Sequence, residues 1–299
     1  MIDQIYDKTS KISFSTYGDD FLRYFGEYRR IVEELGSEVH TLYGTHRRLD
    51  KLVLVDDGTL QNWEFEYLKI TESTLSKIWD YNKLKSAETG KTMDSFIVCF
   101  DDPDSCEEEI KIGRTVIFAP IIKYLQKMGL PKQLNTIEYK VKDNRRITVL
   151  DELTLIFVTL SVKDSDKEKM VKRVCSILDE IDYIDMSRRV VIDSLISFQI
   201  ENFVKSEIDK NKLNGMVDMQ LSVEELFLQV ERECEFDKGY TQGINEGREE
   251  GKEEGRKEVT DEVILNMLGQ SFDDVIIQTC TGCSPEHLQK LKRNYLAGK

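Results

Sequence analysis

The stretch that decides the fold is RRLDKLVLVDDGTLQNWEFEYLK, residues 47–69. β-Branched and aromatic residues alternate on both sides of a DDG turn, which is typical of a β-hairpin. The hairpin nevertheless carries Asp50 on its first strand and Glu64 and Glu66 on its second. Because buried strands seldom carry carboxylates, these three residues are the first candidates for chemistry.

The length of the turn decides whether the carboxylates meet. A two-residue turn at 57–58 places Asp50 opposite Phe65, with its carboxylate on the other face from Glu64. A three-residue loop at 56–58, with its glycine left-handed and forming a bulge, places Asp50 opposite Glu64 instead. We adopt this second register as the prediction.

Two opposed carboxylates need a positive charge between them. Side chains directly opposite on one face have Cβ atoms about 4.5–5.5 Å apart, and like charges at that separation are destabilising. A divalent cation such as Mg²⁺ is a common solution, since it takes oxygen ligands and usually one or two carboxylates. Arg47 and Arg48 flank Asp50 and favour a functional interpretation. The alternative is an ordinary solvent-facing sheet surface with scattered charges.

Alternation along the second strand sorts its side chains. Because successive side chains of a strand point to opposite faces, Glu66 lies on the same face as Glu64. The other face takes the aromatic residues, Trp63, Phe65 and Tyr67. The hairpin is therefore predicted to have one carboxylate face and one apolar face.

The segments around the hairpin alternate between helical and strand patterns, which predicts an α/β core that ends near residue 163. Apolar residues at helical spacing predict helices at 19–36 and 71–91, the second with Gly90 near its end. A short continuous apolar run predicts a buried central strand at 94–100. Further strands are predicted at 37–44, 135–143 and 153–162, whereas 114–125 mixes strand and helix signals.

The rest of the chain reads as helical. We divide it into a core (1–163), a helical extension (164–236), a charged glycine-rich segment (237–259) and a small terminal region (260–299). In the third segment glycine recurs at every fourth position, at a cost of about 1 kcal/mol per glycine in a helix. Such a glycine stripe is either a charged connector or a close helix–helix contact in a homo-oligomer.

The terminal region has the spacing of a helix-turn-helix. Helices are predicted at 272–279 and 285–293, separated by a CTGC turn, with Ser284 capping the second. Lys290 and Arg293, with His287 and Gln289, are candidates for contacts with DNA. A role in packing or protein binding is an equal alternative. The C-x-x-C spacing lacks a second cysteine or histidine pair nearby, so we do not interpret it as a zinc site.

Composition restricts the class of protein. The formal net charge of the 299 residues is −14, which argues against non-specific coating of nucleic acid but allows a local basic cleft. No apolar run approaches the roughly 18–20 residues of a membrane span, and the first residues do not form a secretion signal. Six dispersed cysteines suit reduced thiols. We therefore expect a cytoplasmic protein that does not enter membranes.

Several of these motifs together resemble one family. Asp50, a turn, and an apolar strand ending in Glu64-Phe65-Glu66 resemble the D…(D/E)-x-K core of the PD-(D/E)XK nuclease superfamily. More narrowly, the chain is similar to the Rpn-type recombination-promoting nucleases and transposases, in which the second motif is commonly E-x-Q. The similarity continues through most of the chain, in LRYFG (22–26), KIWDYNKL (77–84), TGKTMDSFIVCF (89–100), the glycine tract and TGCS (281–284).

The resemblance implies a restriction-endonuclease-like mixed sheet flanked by helices and followed by an all-helical C-terminal region. It also implies hydrolysis of DNA phosphodiester bonds in recombination or mobile-element processes, with RNA as a weaker alternative substrate. Asp50 and Glu64, helped by the carbonyl of Phe65, would bind Mg²⁺ or Mn²⁺. The ion would polarise the phosphoryl oxygen and activate a water molecule.

The chain departs from the family at one catalytic position. Glu66 stands where the family has Lys or Gln, and it is either a third ligand, a general base or the sign of a weakened enzyme. Lys77 and Lys69 are candidates for the missing cation. Tyr81 shares a helix face with Lys77 at i and i+4, and the resemblance implies a catalytic role for both. The alternative function is a nuclease fold with an inactive site that still binds DNA or protein.

Overall fold

The computed structural model describes residues 2–36, 38–40, 46–181, 184–217 and 220–297. The chain divides into two compact units, Met1–Cys234 and Glu235–Lys299. The helices are α1 (Ile2–Tyr17), α2 (Asp19–Tyr24), α3 (Glu72–Thr89), α4 (Leu130–Lys142), α5 (Val149–Phe157), α6 (Asp164–Asp179), α7 (Met186–Phe203), α8 (Glu207–Asn214), α9 (Val223–Gly269), α10 (Asp274–Thr281) and α11 (Pro285–Ala297). The strands are β1 (Ile31–Leu35), β2 (Glu38–His40), β3 (His46–Arg48), β4 (Lys51–Val55), β5 (Leu60–Glu66), β6 (Met93–Cys99), β7 (Ile110–Ile112), β8 (Val116–Phe118) and β9 (Ile121–Tyr124).

The main sheet of the first unit is mixed, and its strands stand in the order β1-β4-β5-β6-β9. The pairs β1–β4 and β4–β5 are antiparallel, whereas β5–β6 and β6–β9 are parallel. Helix α3 connects β5 to the parallel strand β6, as such a crossover requires. Two small antiparallel pairs, β2–β3 and β7–β8, accompany the sheet. The predicted α/β class with a mixed sheet and flanking helices is confirmed.

The hairpin β4–β5 turns through the predicted three-residue loop. The N–H of Val55 donates to the carbonyl of Thr59 (3.0 Å), and the N–H of Gly58 donates to the carbonyl of Val55 (2.9 Å). Gly58 has φ of 86°, the left-handed conformation that the bulge needs and that glycine adopts without steric cost. Asp57 stabilises the turn by accepting the N–H of Thr59 at 2.8 Å.

This loop sets the register that the sequence predicts. Lys51, the first residue of β4, lies opposite Trp63, and this pair is the one furthest from the turn. Asp50, one residue further out, lies in a bend at the level of Glu64. The two-residue alternative, with Asp50 opposite Phe65, is excluded.

The two faces of β5 pack against different partners. On one face the rings of Trp63 and Phe96 stack with centroids 4.4 Å apart, within the large core that α1, α2 and α5 help to form. Phe65 is buried in the same core and Tyr67 packs against it. On the other face Leu60 packs with Tyr81 of α3. The predicted separation into an apolar face and a carboxylate face is confirmed.

Helix α3 begins and ends where the sequence predicts. The hydroxyl of Thr71 accepts the N–H of Thr74, and Gly90 ends the helix with φ of 67°. Its inward face buries Leu75 and Ile78, together with the polar side chain of Asn82. The predicted central strand at 94–100 is β6, which begins one residue earlier and is buried over its last five residues.

The helix predicted at 19–36 is wrong beyond Tyr24. Helix α2 ends there, and Gly26 adopts φ of 79°, so the chain leaves the helix. The segment Ile31–Leu35 is instead the edge strand β1, paired with β4. Its apolar residues fit both helical and strand spacing, and pairing with β4 decides between them. Of the strand predicted at 37–44, only 38–40 lie within the described residues.

The strands predicted at 135–143 and 153–162 are also wrong, because both segments are helical. Helix α4 covers Leu130–Lys142, and Pro131 in its first turn suits a helix start. Helix α5 is capped by Thr148, whose hydroxyl accepts the N–H of Asp151 at 3.2 Å. A continuous apolar run has no period, so it does not separate a buried helix from a buried strand. The ambiguous segment 114–125 contains β8 and β9.

After β9, every element in the described residues of the first unit is a helix or a 3₁₀ turn. Helices α5, α6 and α7 contribute to the same hydrophobic core as the sheet. The domain boundaries predicted at 163, 236 and 259 stay predictions. None of the helices in the described part of the chain combines the length and apolar character that crossing a bilayer requires.

The second unit is helical. Helix α9 runs without a break through the glycine tract to Gly269. Ile264, Ile277 and Leu288 form a small core between α9, α10 and α11. Gly282 ends α10 with φ of 66°, and the N–H of His287 donates to the hydroxyl of Ser284 at 3.2 Å. The predicted helix, turn and capped helix are therefore confirmed, with α10 two residues later than expected.

Candidate active site

The C-terminal end of β5 brings the predicted carboxylates together. The N–H of Phe65 donates to Oδ2 of Asp50 at 3.0 Å. The Asp50 carboxylate therefore takes the place of the backbone acceptor that β4 would provide if its pairing with β5 continued beyond Lys51 and Trp63. Asp50 and Glu64 are close enough for the charge of Asp50 to raise the pKa of Glu64. Asp50, Glu64 and the backbone of Phe65 thus form one cluster.

Glu64 is the most buried member of this cluster, with 4% of its surface exposed. Its Oε1 atom has no hydrogen-bond partner within the described residues. Burial first, and then the charge of Asp50, raise the pKa of Glu64 to about 8, while Lys77 and the amide of Asn62 lower it. Without a bound cation Glu64 is therefore mostly protonated at neutral pH.

Glu66 lies one alternation further along β5 and is half-buried. Burial raises its pKa above the usual value, the charge of Lys77 lowers it, and the charge of Asp50 raises it. The carbonyl of Glu66 accepts the N–H of Phe100 at 3.1 Å, which holds this end of β5 against the chain that follows β6. Glu66 therefore lies close enough to Asp50 and Lys77 for the charge of each to affect its pKa.

Lys77 is the cation that α3 places beside these carboxylates. Its side chain is exposed, and its ammonium lies 5.7 Å from the ring centre of Tyr81, so the two share a helix face as predicted. Tyr81 itself is buried, and it packs with Leu49 and Leu52. This position makes Tyr81 a core residue, and its catalytic role stays a prediction. Lys69 is exposed in the segment that joins β5 to α3.

A polar network lies next to Glu64 on the same face. The Asn62 amide donates to Oδ1 of Asn82 at 3.3 Å, and the Asn82 amide donates to the hydroxyl of Ser95. Asn62 Oδ1, like Glu64 Oε1, is a buried acceptor without a donor within the described residues. A buried acceptor without a donor costs free energy, and a proton or a cation bound at these oxygens would remove that cost.

Sequence reasoning missed Lys11, which reaches the cluster from α1. Its ammonium lies 2.9 Å from Oδ1 of Asp50 and 2.6 Å from Oδ1 of Asp7. Burial lowers the pKa of Lys11, but the charges of Asp50 and Asp7 outweigh it, so the pKa is raised. The i,i+4 spacing of Asp7 and Lys11 was the available signal, but only the fold reveals the contact with Asp50.

The candidate ligands in this cluster are oxygen atoms, which hard divalent cations such as Mg²⁺ prefer. Asp50 and Glu64 offer carboxylate oxygens, and Mg²⁺ usually takes one or two carboxylates with water completing its shell. The unpaired Oε1 of Glu64 is an acceptor that such an ion would satisfy. Across the described residues, however, no group of three or more Asp, Glu, His or Cys side chains is arranged to hold a metal. The fit therefore rests on two carboxylates and a backbone carbonyl.

An acidic loop follows β6 and lies beside the same end of the sheet. The N–H of Glu107 donates to the carbonyl of Ile70 at 3.0 Å, which ties this loop to the segment that leads into α3. The loop holds six acidic residues, Asp101, Asp102, Asp104, Glu107, Glu108 and Glu109. Their charge opposes the approach of a polyanion from this side.

The predicted nucleic-acid contacts are spread over the chain. The backbone of Arg47 and Arg48 lies in β3, but their side chains are outside the described part of the structure. Lys290 and Arg293 are exposed on α11 of the second unit. His287 forms a pair with Asp261, Nε2 to Oδ1 at 2.5 Å, and is thus engaged within that unit.

Comparisons add no relative to this picture. No family model matches the chain, and no curated protein or solved structure matches it either.

Proposed function

We propose that the protein is a metal-dependent DNA endonuclease of the PD-(D/E)XK type that acts in recombination or mobile-element processes. The observation that carries the proposal is the register of the hairpin, which sets Asp50 at the level of Glu64 at the end of a strand. The mixed sheet with flanking helices is compatible with a restriction-endonuclease-like fold. The unpaired oxygen of Glu64 supports a site that is completed by a cation.

Asp50, Glu64 and the carbonyl of Phe65 would hold Mg²⁺ or Mn²⁺. When bound, such an ion polarises a phosphoryl oxygen and lowers the pKa of a water molecule. Glu64 must release its proton to act as a ligand, so binding of the ion competes with protonation of this carboxyl.

The remaining residues supply charge and orientation. Lys77 lies close enough to Glu64 and Glu66 for its charge to lower the pKa of both. It therefore offers the positive charge that Glu66 does not, and it can stabilise a phosphate oxygen. Glu66, half-buried with a raised pKa, is suited to accept a proton from the attacking water.

The decisive test is cleavage of supercoiled plasmid DNA with Mg²⁺ or Mn²⁺. Asp50→Asn keeps the shape of the side chain but removes the charge, and we expect at least a 100-fold loss of nicking. Asp56→Asn, an exposed aspartate in the loop of the same hairpin, is the matched control and should cleave like the wild type. Equal nicking by the wild type and Asp50→Asn would refute the proposal.

A second candidate function is a nuclease fold that has lost catalysis and binds DNA or protein. Two observations favour it: both oxygens of Asp50 already have partners in Lys11 and Phe65, and the acidic loop lies beside the site. This candidate predicts no heat of Mg²⁺ binding and no cleavage, but retained retardation of DNA on gels. A rise of activity in Glu66→Lys or Glu66→Gln would instead indicate a weakened enzyme.

A further inference from the structure

We infer that Lys11 is a positioning residue that holds Asp50 in the orientation a cation ligand needs. The inference rests on the proposed function, because that function supplies the cation. The contact between Lys11 and Asp50 is present without a metal. The motifs of the hairpin do not include this lysine, since it lies on α1.

The Asp50 carboxylate is fixed at both of its oxygens. Oδ1 accepts from Lys11 at 2.9 Å, and Oδ2 accepts the N–H of Phe65 at 3.0 Å. One donor comes from α1 and the other from β5, so rotation of the carboxylate breaks at least one bond. Each oxygen keeps a lone pair, because an ionised carboxylate offers about four acceptor positions.

Lys11 is itself held in place. Only 22% of its side chain is exposed, and Asp7, one helical turn earlier, binds the same ammonium at 2.6 Å. A lysine that is largely buried and shared between two carboxylates has lost most of its rotamer freedom before it contacts Asp50. It therefore orients Asp50 more firmly than an exposed lysine would.

Lys11 also places a positive charge directly beside Asp50, at 2.9 Å from Oδ1. The ammonium offsets the negative charge of Asp50 from the α1 side, as Lys77 does for Glu64 and Glu66 from α3. The ammonium of Lys51, the neighbour of Asp50 in sequence, is instead hydrogen-bonded to Ser15 and Glu34. Partners of this kind, which orient a ligand without binding the metal, typically change metal affinity 10–100-fold when mutated.

The first test uses the metal-free protein and follows amide hydrogen exchange at Phe65. In Lys11→Met we expect protection of the Phe65 amide to fall about 10-fold or more, because Asp50 is released from its acceptor position. Amides of β6 should keep their protection, which separates this effect from global destabilisation. Lys8→Met is the matched control: Lys8 lies one turn away on α1, is 16% exposed and pairs with Glu224 at 2.9 Å. Unchanged Phe65 exchange in Lys11→Met would overturn the inference.

The second test measures binding of Mn²⁺ by calorimetry. We expect Lys11→Met to bind about 10–100-fold more weakly than the wild type, Lys8→Met to bind equally, and Lys11→Arg to recover part of the loss. Equal or tighter binding by Lys11→Met would overturn the inference, since it would make Lys11 a bystander or a competitor for the ion. A wild type that gives no heat would refute the proposed metal site, while the exchange test would still decide whether Lys11 positions Asp50.

Discussion

The two faces of strand β5 differ in the kind of buried polar atom that has no partner among the described residues: an amide donor, Nε2 of Gln61, on one face and acceptor oxygens on the other. The face toward α1 is an aromatic core, with Trp63 stacked on Phe96 and the indole N–H donating to Gln61 at 3.0 Å. The face toward α3 buries Asn62 and Glu64, and each of these carries an acceptor oxygen without a donor among the described residues. The first face consists mainly of apolar packing, whereas on the second face two buried acceptors have lost water without gaining a donor, which costs free energy.

This difference separates residues that are present for packing from residues that are candidates for chemistry. A stacked aromatic pair needs no ligand to explain it. A carboxyl group that is 4% exposed, lies beside a second carboxylate and lacks a donor on one oxygen does need an explanation. We therefore expect side chains on the two faces to contribute to stability with opposite sign.

The largest expected effect is on the aromatic face. Trp63→Ala removes a fully buried ring, and we expect the free energy of unfolding to fall by about 3–5 kcal/mol. Urea denaturation measures the change. Tyr28→Ala, at a side chain that is 78% exposed, is the control and should change stability by less than about 0.5 kcal/mol. Similar losses in both variants would show that Trp63 is not the centre of the core.

On the carboxylate face the sign should reverse. The folded-state pKa of Glu64 is about 8 against an ordinary 4.5, so its contribution to stability is fully present below pH 4.5 and is lost as the pH rises through 8. Glu64→Gln removes this loss, and in metal-free buffer above pH 8 it should be more stable than the wild type by on the order of a few kcal/mol.

Urea denaturation of the Glu64→Gln variant across pH 5 to 9, with chelator present, measures this effect. Glu72→Gln, in the exposed first turn of α3, is the control and should follow the wild type. A Glu64→Gln protein that is less stable than the wild type above pH 8 would mean that the carboxylate is already paired within the fold.

The turn that assigns side chains to the two faces should give a smaller effect. Ala in place of Gly58 has room for its methyl group, but φ of 86° is strained for any L-residue, so we expect a loss of about 1–2 kcal/mol. Gly251 in α9 also has room for a methyl group, yet it is helical, and Gly251→Ala should stabilise by up to about 1 kcal/mol. Thermal unfolding of both variants tests the opposite signs, and destabilisation by both would point to a contact at Gly251.

The smallest effect should come from the exposed lysine on α3. Lys77→Met removes a charge that lowers the pKa of Glu64 and Glu66, so the pH at which stability declines should move upward by less than about 1 unit. Lys83→Met, also exposed on α3, is the control. No shift in Lys77→Met would remove Lys77 from the candidate site.

The turn and register of the hairpin could be predicted from the sequence, because they depend on residues that are close together in the chain. A DDG turn has one favourable three-residue geometry with glycine left-handed, and the period of two then assigns each side chain of β5 to a face. The Thr71 cap and Gly90 marked the ends of α3 for the same reason, because each acts on backbone groups within a few residues.

Features that depend on contacts between distant parts of the chain could not be predicted from the sequence. The segment Ile31–Leu35 is a strand because it pairs with β4. The segment 153–162 is largely helical, and its apolar side chains are buried in the core that it shares with neighbouring helices. Neither fact follows from a local pattern, since an apolar run satisfies both structures. Lys11 is the sharpest case: its link to Asp50 joins residues that only the packing of α1 on the hairpin brings within 2.9 Å.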